Sequence, residues 1–209
     1  MEWSVLIPTL WRSQRIHRLV ETMEKVPYVK EVIIMDNKGD CDGFRDGKLI
    51  ILPGKRSNYV NRSWNQLVEF CRTSHYLLCN DDIYFHPFLF EELNDIDWSL
   101  NAVAGVGYSA IAPSVESQEL YSETIHEDHL PYGWGQIIAG KKNEWVEIPD
   151  YLRIWYGDNW IARTHLNVLT LNGFYMETDI ETTSGSPEFR HIKEADKRRW
   201  ETMIQQGLI

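Results

Sequence analysis

Leu77-Leu78-Cys79-Asn80-Asp81-Asp82-Ile83 turns abruptly from apolar to polar. The run from His75 to Cys79 reads as a buried strand, and Asn80-Asp81-Asp82 marks its carboxyl end. Working outward, Ser4-Val5-Leu6-Ile7 is a second buried strand, stopped by Pro8. Ser13 can cap a helix whose apolar face is Ile16, Leu19, Val20, Met23 and Val26, and Pro27 ends it. Glu31 to Met35 is another strand, closing on Asp36-Asn37 and a Gly/Asp-rich turn from Lys38 to Gly47. Lys48 to Leu52 follows as a strand stopped by Pro53-Gly54, and Trp64, Leu67, Val68 and Cys71 form a helical stripe. Strand, helix, strand, strand, helix, strand is the order of an α/β protein with a mostly parallel, Rossmann-like sheet flanked by helices. Ligands in such sheets sit beyond the carboxyl ends of the strands. Here those ends carry Pro8-Thr9, Asp36-Asn37 and Asn80-Asp81-Asp82.

The second half is less regular. Ala102 to Tyr108 reads as a strand, Ser114 to Pro131 as a polar, acidic loop with His126 and His129, and Gln136 to Ala139 as a short strand after Gly133-Trp134-Gly135. A helix is expected to start near Asp158 or Asn159, and another at Ser186-Pro187-Glu188, leading to Phe189, Ile192, Trp200 and Met203. At 209 residues the chain is expected to form a single domain (1–209) with one sizeable core. A net charge of −10 disfavours sequence-blind attraction to nucleic acid or anionic membrane, though it leaves room for a local basic pocket. The longest low-polarity stretch, Ala102 to Pro113, is far shorter than the ~20 residues of a membrane span. No secretory leader is visible at the N-terminus, and three cysteines without metal spacing, Cys41, Cys71 and Cys79, fit a reducing compartment. A cytoplasmic protein is therefore expected.

Two adjacent carboxylates and an amide oxygen at one strand end repel unless a cation or proton intervenes. Oxygen-only ligands suit Mg²⁺ or Mn²⁺, commonly held by one or two carboxylates together with substrate phosphates. The plainer alternative is a polar turn in which Asp81 or Asp82 caps a helix near Pro87.

The succession Ser4 to Thr9, Arg12, Asp36, Asn65 and Asn80-Asp81-Asp82 resembles the inverting family-two glycosyltransferases, whose nucleotide-sugar-binding fold is called GT-A. The resemblance spans residues 3 to about 93. It implies a nucleotide-sugar-binding half, 1–93, and an acceptor and catalytic half, 94–209. By it, Pro8, Thr9, Leu10 and Arg12 would line the nucleoside pocket, and Asp36 would accept a hydrogen bond from a uracil ring, pointing to a UDP-linked donor. Asn65 would flank the nucleotide, Asn80 and Asp81 would face ribose and phosphates, and Asp82 would be the principal ligand of Mn²⁺ or Mg²⁺. Gly133-Trp134-Gly135 and Trp155-Tyr156-Gly157-Asp158-Asn159-Trp160 resemble the family's Gly-rich strand and the stretch with its general base. Asp158 would then take the acceptor hydroxyl's proton, and Trp134, Trp155 and Trp160 are candidates to stack on acceptor or sugar. Many relatives place a late histidine on the metal; Thr178 to Ser186 holds Asp179 and Glu181 but no histidine, and His191 follows as either a ligand or a polar helix residue.

Two departures stand out. Trp11 occupies a position where the family often has asparagine. The glycine expected ahead of the second helix is missing from Ser57-Asn58-Tyr59-Val60, so Lys55 and Arg56 could meet a diphosphate or form a solvated pair. The resemblance thus implies a metal-dependent, inverting transferase acting from a nucleotide-sugar donor on a saccharide, a lipid-linked carrier, a protein or a modified DNA base. A non-catalytic nucleotide-sugar-binding module and a sugar-nucleotide nucleotidyltransferase are the alternatives. The second would want a Gly-rich loop after the first strand, and Pro8 to Arg12 contains no glycine.

Overall fold

The computed structural model describes residues 1–107, 111–179 and 186–209. In chain order the first half forms β1 (Trp3–Thr9), α1 (Arg15–Lys25), β2 (Val29–Asp36), β3 (Phe44–Asp46), β4 (Leu49–Pro53), α2 (Tyr59–Phe70), β5 (His75–Cys79), β6 (Ile83–Phe85) and α3 (Leu89–Asp95). The second half adds β7 (Ala102–Val106), β8 (Tyr121–Ile125), β9 (Ile137–Lys141), α4 (Gly157–Arg163), β10 (Asn167–Asn172), β11 (Met176–Thr178) and α5 (Arg190–Gln205).

Nine strands make one mixed sheet in the order β3-β4-β2-β1-β5-β9-β7-β10-β8. β4, β2, β1 and β5 form its parallel core, and β7 and β10 run the same way, while β3, β9 and β8 run against them. β11 and β6 pair separately as a short antiparallel ribbon. Because β9 lies between β5 and β7, the sheet is continuous through both halves of the chain.

Successive side chains of a strand point to opposite faces. Val5, Ile7, Val32, Ile34 and Leu77 therefore face one apolar layer, which Ile16, Leu19 and Met23 of α1 and Phe90 of α3 complete. Leu6, Ile33, Met35 and Leu78 face the other, with Trp64 and Leu67 of α2, Ile161 of α4 and Trp200 of α5. Helices thus cover both faces, and the buried strands are apolar in continuous runs.

Several expectations are corrected. Ser114 to Pro131 is not all loop: it contains β8, an edge strand whose largely exposed residues conceal the apolar alternation that marks a strand. The Lys38 to Gly47 turn holds the exposed β3, and Asn80-Asp81-Asp82 leads into β6 before the helix near Pro87 begins at Leu89. Gln14 stands at the N-cap of α1, and Ser13 supports it one residue earlier, its Oγ accepting from the Arg15 amide at 3.2 Å. Tyr108, the last residue of the strand expected after Ala102, lies outside the described residues. No helix among the described residues is long and apolar enough to cross a membrane.

Candidate active site

The carboxyl ends of β1, β2 and β5 and the amino end of the reversed β9 meet at one edge of the sheet. A cleft of about 660 Å³ opens there. Pro8, Thr9 and Leu10 line it from β1, Asn37 from β2, Asn80, Asp81 and Asp82 from β5, and Gly135 and Gln136 from the approach to β9. The Asn80 amide donates to the Gln136 carbonyl at 3.0 Å, which ties the exit of β5 to the start of β9.

Asp81 and Asp82 are both buried, each 8% exposed. The Thr9 hydroxyl donates to Asp81 Oδ2 at 2.5 Å, and Thr9 Oγ1 accepts from the Trp11 amide at 2.7 Å. Burial pushes the Asp81 carboxyl up to about 6; the Thr9 hydrogen bond opposes this, and the Asp82 charge adds to it. Two adjacent carboxylates in so dry a corner repel one another unless a cation or a proton intervenes. Around the cleft the only cationic side chains among the described residues are Arg56, held by Glu188 at 2.7 Å, and Lys193. The donor set of Asp81, Asp82 and the Asn80 amide oxygen therefore suits a hard divalent cation.

Asp158 reaches the same cleft from the first turn of α4. Its Oδ1 accepts from the Asn159 amide at 3.0 Å, and burial raises its carboxyl above the usual range against that hydrogen bond. Gly135 makes room for it: a Cβ there would come within 2.7 Å of Asp158 Cβ and 2.8 Å of Oδ2. The segment leading to α4 is fixed from the C-terminal helix. Asp196, fully buried on α5, accepts with one oxygen from three successive amides: Arg153 at 3.0 Å, Ile154 at 2.9 Å and Trp155 at 3.2 Å. Ile154 and Trp155 thereby become cleft wall, with Lys193 Nζ 5.8 Å from the Trp155 ring centre.

Pro8, Thr9, Leu10, Asn80, Asp81, Asp82, Trp155 and Asp158 are brought together around this cavity. Other candidates are placed elsewhere. Asp36 is fully buried and does not line the cleft: its carboxylate accepts from the amides of Lys38, Gly39, Asp40 and Cys41 and from Trp11 Nε1 at 2.9 Å, so it organises the turn. Its neighbour Asn37 faces the cleft instead, cross-linked to Ser63 at 2.8 Å. The Asn65 amide is spent on the backbone of Ile148, donating at 2.8 Å and accepting at 3.0 Å. Trp134 is a core residue, its indole packed over Gly105 and Nε1 donating to the Leu169 carbonyl at 2.9 Å. Trp160 packs against the α2 face of the core. Arg12 pairs with Glu188 outside the cleft wall, and His191 is exposed on α5 away from it. Asp179 pairs with Arg15 at 2.8 Å, and Glu181 lies outside the described residues.

Sequence reading missed Asn37, Tyr59, Tyr132, Gln136, Tyr156 and Lys193 as lining residues. Asn37 and Gln136 could have been found by their places at strand ends; nothing in the order of residues flags the others. Tyr59, the first residue of α2, has φ +54°, so positive-φ backbone at the entry to this helix, where a glycine was expected, is adopted by a tyrosine. His126, Glu127 and Asp128 also bring ligand atoms within 4.8 Å of one another, but on an exposed turn where Asp128 already pairs with Arg163.

No family model and no curated relative matches the chain. Solved structures do. S. aureus TarS residues 1–349 in complex with UDP-GlcNAc superposes over 92% of this chain and 64% of that one, with TM-score 0.60 and 14% identity. The UDP complex of the same fragment covers 84% and 60%, with TM-score 0.58 and 16% identity. Against the longer S. aureus TarS structure the coverage is 84% and 36%, with TM-score 0.56. This chain thus spans less than two thirds of the length of the proteins it matches. TarS is a GT-A-type glycosyltransferase. The nine-stranded sheet and its flanking helices, with the cleft at the strand ends, therefore make a GT-A-like fold similar to that of TarS.

Proposed function

We propose that this protein is an inverting glycosyltransferase that moves a sugar from a UDP-linked donor to an acceptor hydroxyl. One observation carries the reading: Asp81 and Asp82 from the end of β5 and Asp158 from the start of α4 line a single cleft. Inversion needs a carboxylate to take the acceptor's proton as the hydroxyl attacks. Asp158, its carboxyl raised above the usual range by burial and given space by Gly135, is that base. Asp82, with Asp81 held by Thr9, would hold Mn²⁺ or Mg²⁺, and a divalent cation there would neutralise the charge of the departing diphosphate. Trp155 offers an aromatic face to acceptor or sugar. The likeness to TarS bound to UDP and UDP-GlcNAc supports a uridine-linked donor, although Asp36 is not free to read the base; Asn37 and Leu10 are the side chains beside it.

The test is calorimetric titration of UDP, CDP, GDP and TDP with and without Mn²⁺, followed by UDP release from UDP-sugars. UDP is expected to bind best, and only with metal. Asp82→Asn should weaken this metal-dependent binding, and Asp158→Asn should leave binding intact while lowering kcat by ~10²–10⁴-fold. Equal binding of all four nucleotides would refute the donor assignment. Metal-dependent UDP binding without turnover on any acceptor would favour a binding module.

A further inference from the structure

A second cavity, of about 360 Å³, opens beside the cleft and shares Tyr59 with it. Arg62 and Arg153 both line it, with Ser57 and Asn58. Among the described residues neither guanidinium has a carboxylate partner or makes a hydrogen bond. Several other arginines are held by carboxylates, among them Arg12 and Arg56 on Glu188, Arg15 and Arg18 on Glu177, and Arg72 on Glu31. Asp150 is the one carboxylate on the wall, and it forms no ion pair among the described residues. Two guanidinium groups thus face one small space with a single carboxylate on its wall, in a chain of net charge −10.

The pocket is also set in advance. The Arg153 amide donates to Asp196, its carbonyl accepts from the Asn61 amide at 3.1 Å, and its guanidinium lies 5.7 Å from the centre of the Tyr59 ring. Tyr59 holds its positive-φ backbone between cleft and pocket; such a conformation in a non-glycine residue costs about 1–3 kcal/mol and persists only where the surroundings enforce it. Two guanidinium forks and the Ser57 hydroxyl supply donors that match an anion with several acceptor oxygens. From Arg153 the chain runs through Ile154 and Trp155 along the cleft wall to Asp158. The pocket therefore joins the cleft on the side of the proposed base.

We propose that Arg62 and Arg153 bind a phosphate group of the acceptor, so that the hydroxyl presented to Asp158 belongs to a phosphate ester. This rests on the glycosyltransferase reading above for the word acceptor, but the anion site itself does not. The contact is local and consistent with an acidic surface that repels polyanions elsewhere.

Inorganic phosphate, glycerol 3-phosphate and glycerol are titrated calorimetrically into the full chain, free and saturated with UDP and Mn²⁺. Both phosphates are expected to bind in both states, more weakly at high salt, and glycerol not at all. Arg62→Gln/Arg153→Gln should weaken phosphate binding by about tenfold or more while leaving UDP binding unchanged. Arg62→Gln alone, at an exposed position, should weaken it partially and serves if the double variant does not fold. No uptake of phosphate by the wild type, equal uptake by the variants, or binding of glycerol as tight as that of its phosphate would each overturn the proposal. So would displacement of phosphate by UDP, which would assign the arginines to the donor's diphosphate. Failure of the wild type to bind UDP, with phosphate binding intact, would instead overturn the donor reading.

Discussion

At Gly135 a single added methyl group would meet the Asp158 side chain at 2.7 Å. Real Cβ atoms do not approach so closely, so the carboxylate must move, and a displacement of that size would disorder the proposed base, which works by position. Gly135→Ala is expected to lower kcat about as far as Asp158→Asn does, ~10²-fold or more, with UDP affinity retained. An alanine variant of normal kcat would remove Asp158 from the mechanism. The same residue fixes a pH profile. A base acts only when ionised, and burial raises the Asp158 carboxyl above its ordinary range. The rate should therefore rise with pH along a limb lying above the ordinary aspartate value of about 3.9, and that limb should disappear in Asp158→Asn. At this scale the sequence was readable only in part. It marked Asp81 and Asp82 because a strand end is marked by composition, and Asp158 only through the family resemblance of Trp155 to Trp160. It misplaced Asp36 and Trp134 because position along a strand does not reveal which partner a side chain finds: four turn amides for one, a bare glycine surface for the other.

Between elements, two carboxylates do contrasting work. Glu31 of β2 is 2% exposed and binds the Ser4 hydroxyl at 2.6 Å and Arg72 through its amide and guanidinium, joining β2 to β1 and to the end of α2. Burial pushes its carboxyl up, but these hydrogen bonds outweigh it and hold the group below its ordinary value. A depressed carboxylate contributes stability above the unfolded value, about 4.3, and loses it as pH falls through the folded one. Glu31→Gln should therefore cost about 1–2 kcal/mol at neutral pH, a gap in melting temperature that closes on acidification. A gap unchanged in acid would show that packing, not charge, is at stake. Glu188, by contrast, is exposed and bridges Arg12 ahead of α1 to Arg56 ahead of α2. Glu188→Gln should barely change the melting point but should free Arg56, a cleft residue, and tighten UDP a few-fold in calorimetry. An unchanged affinity would separate Arg56 from the donor. Most of the buried strands and amphipathic helices were legible because their periodicity is dictated by burial. β3, β6, β8 and β11 were not, being three to five residues long or too exposed to need an apolar pattern, nor was the buried β10, whose short apolar run is broken by Thr170 and bounded by Asn167 and Asn172.

For the whole molecule, the order of strands matters more than their number. β9 covers the edge of β5, so a fragment of residues 1–93 would expose the Leu77-Leu78 edge and lack Gly135, Gln136 and Asp158. An uncovered apolar edge recruits other strands. The fragment is expected to aggregate in size-exclusion chromatography and to bind no UDP, and a monomeric fragment with UDP affinity would show the first half to be self-sufficient. The Asp196 clamp adds a matter of timing. One carboxylate on the last helix holds amides 41 to 43 residues earlier, and contacts of long sequence separation form late because the loop between them must first be closed. Trp155, Arg153 and the approach to Asp158 should thus take their final shape only after the sheet has condensed and α5 has docked. Refolding followed by helix and sheet signals would then run ahead of the recovery of ligand binding. A newly made chain would be folded for a time before it is competent.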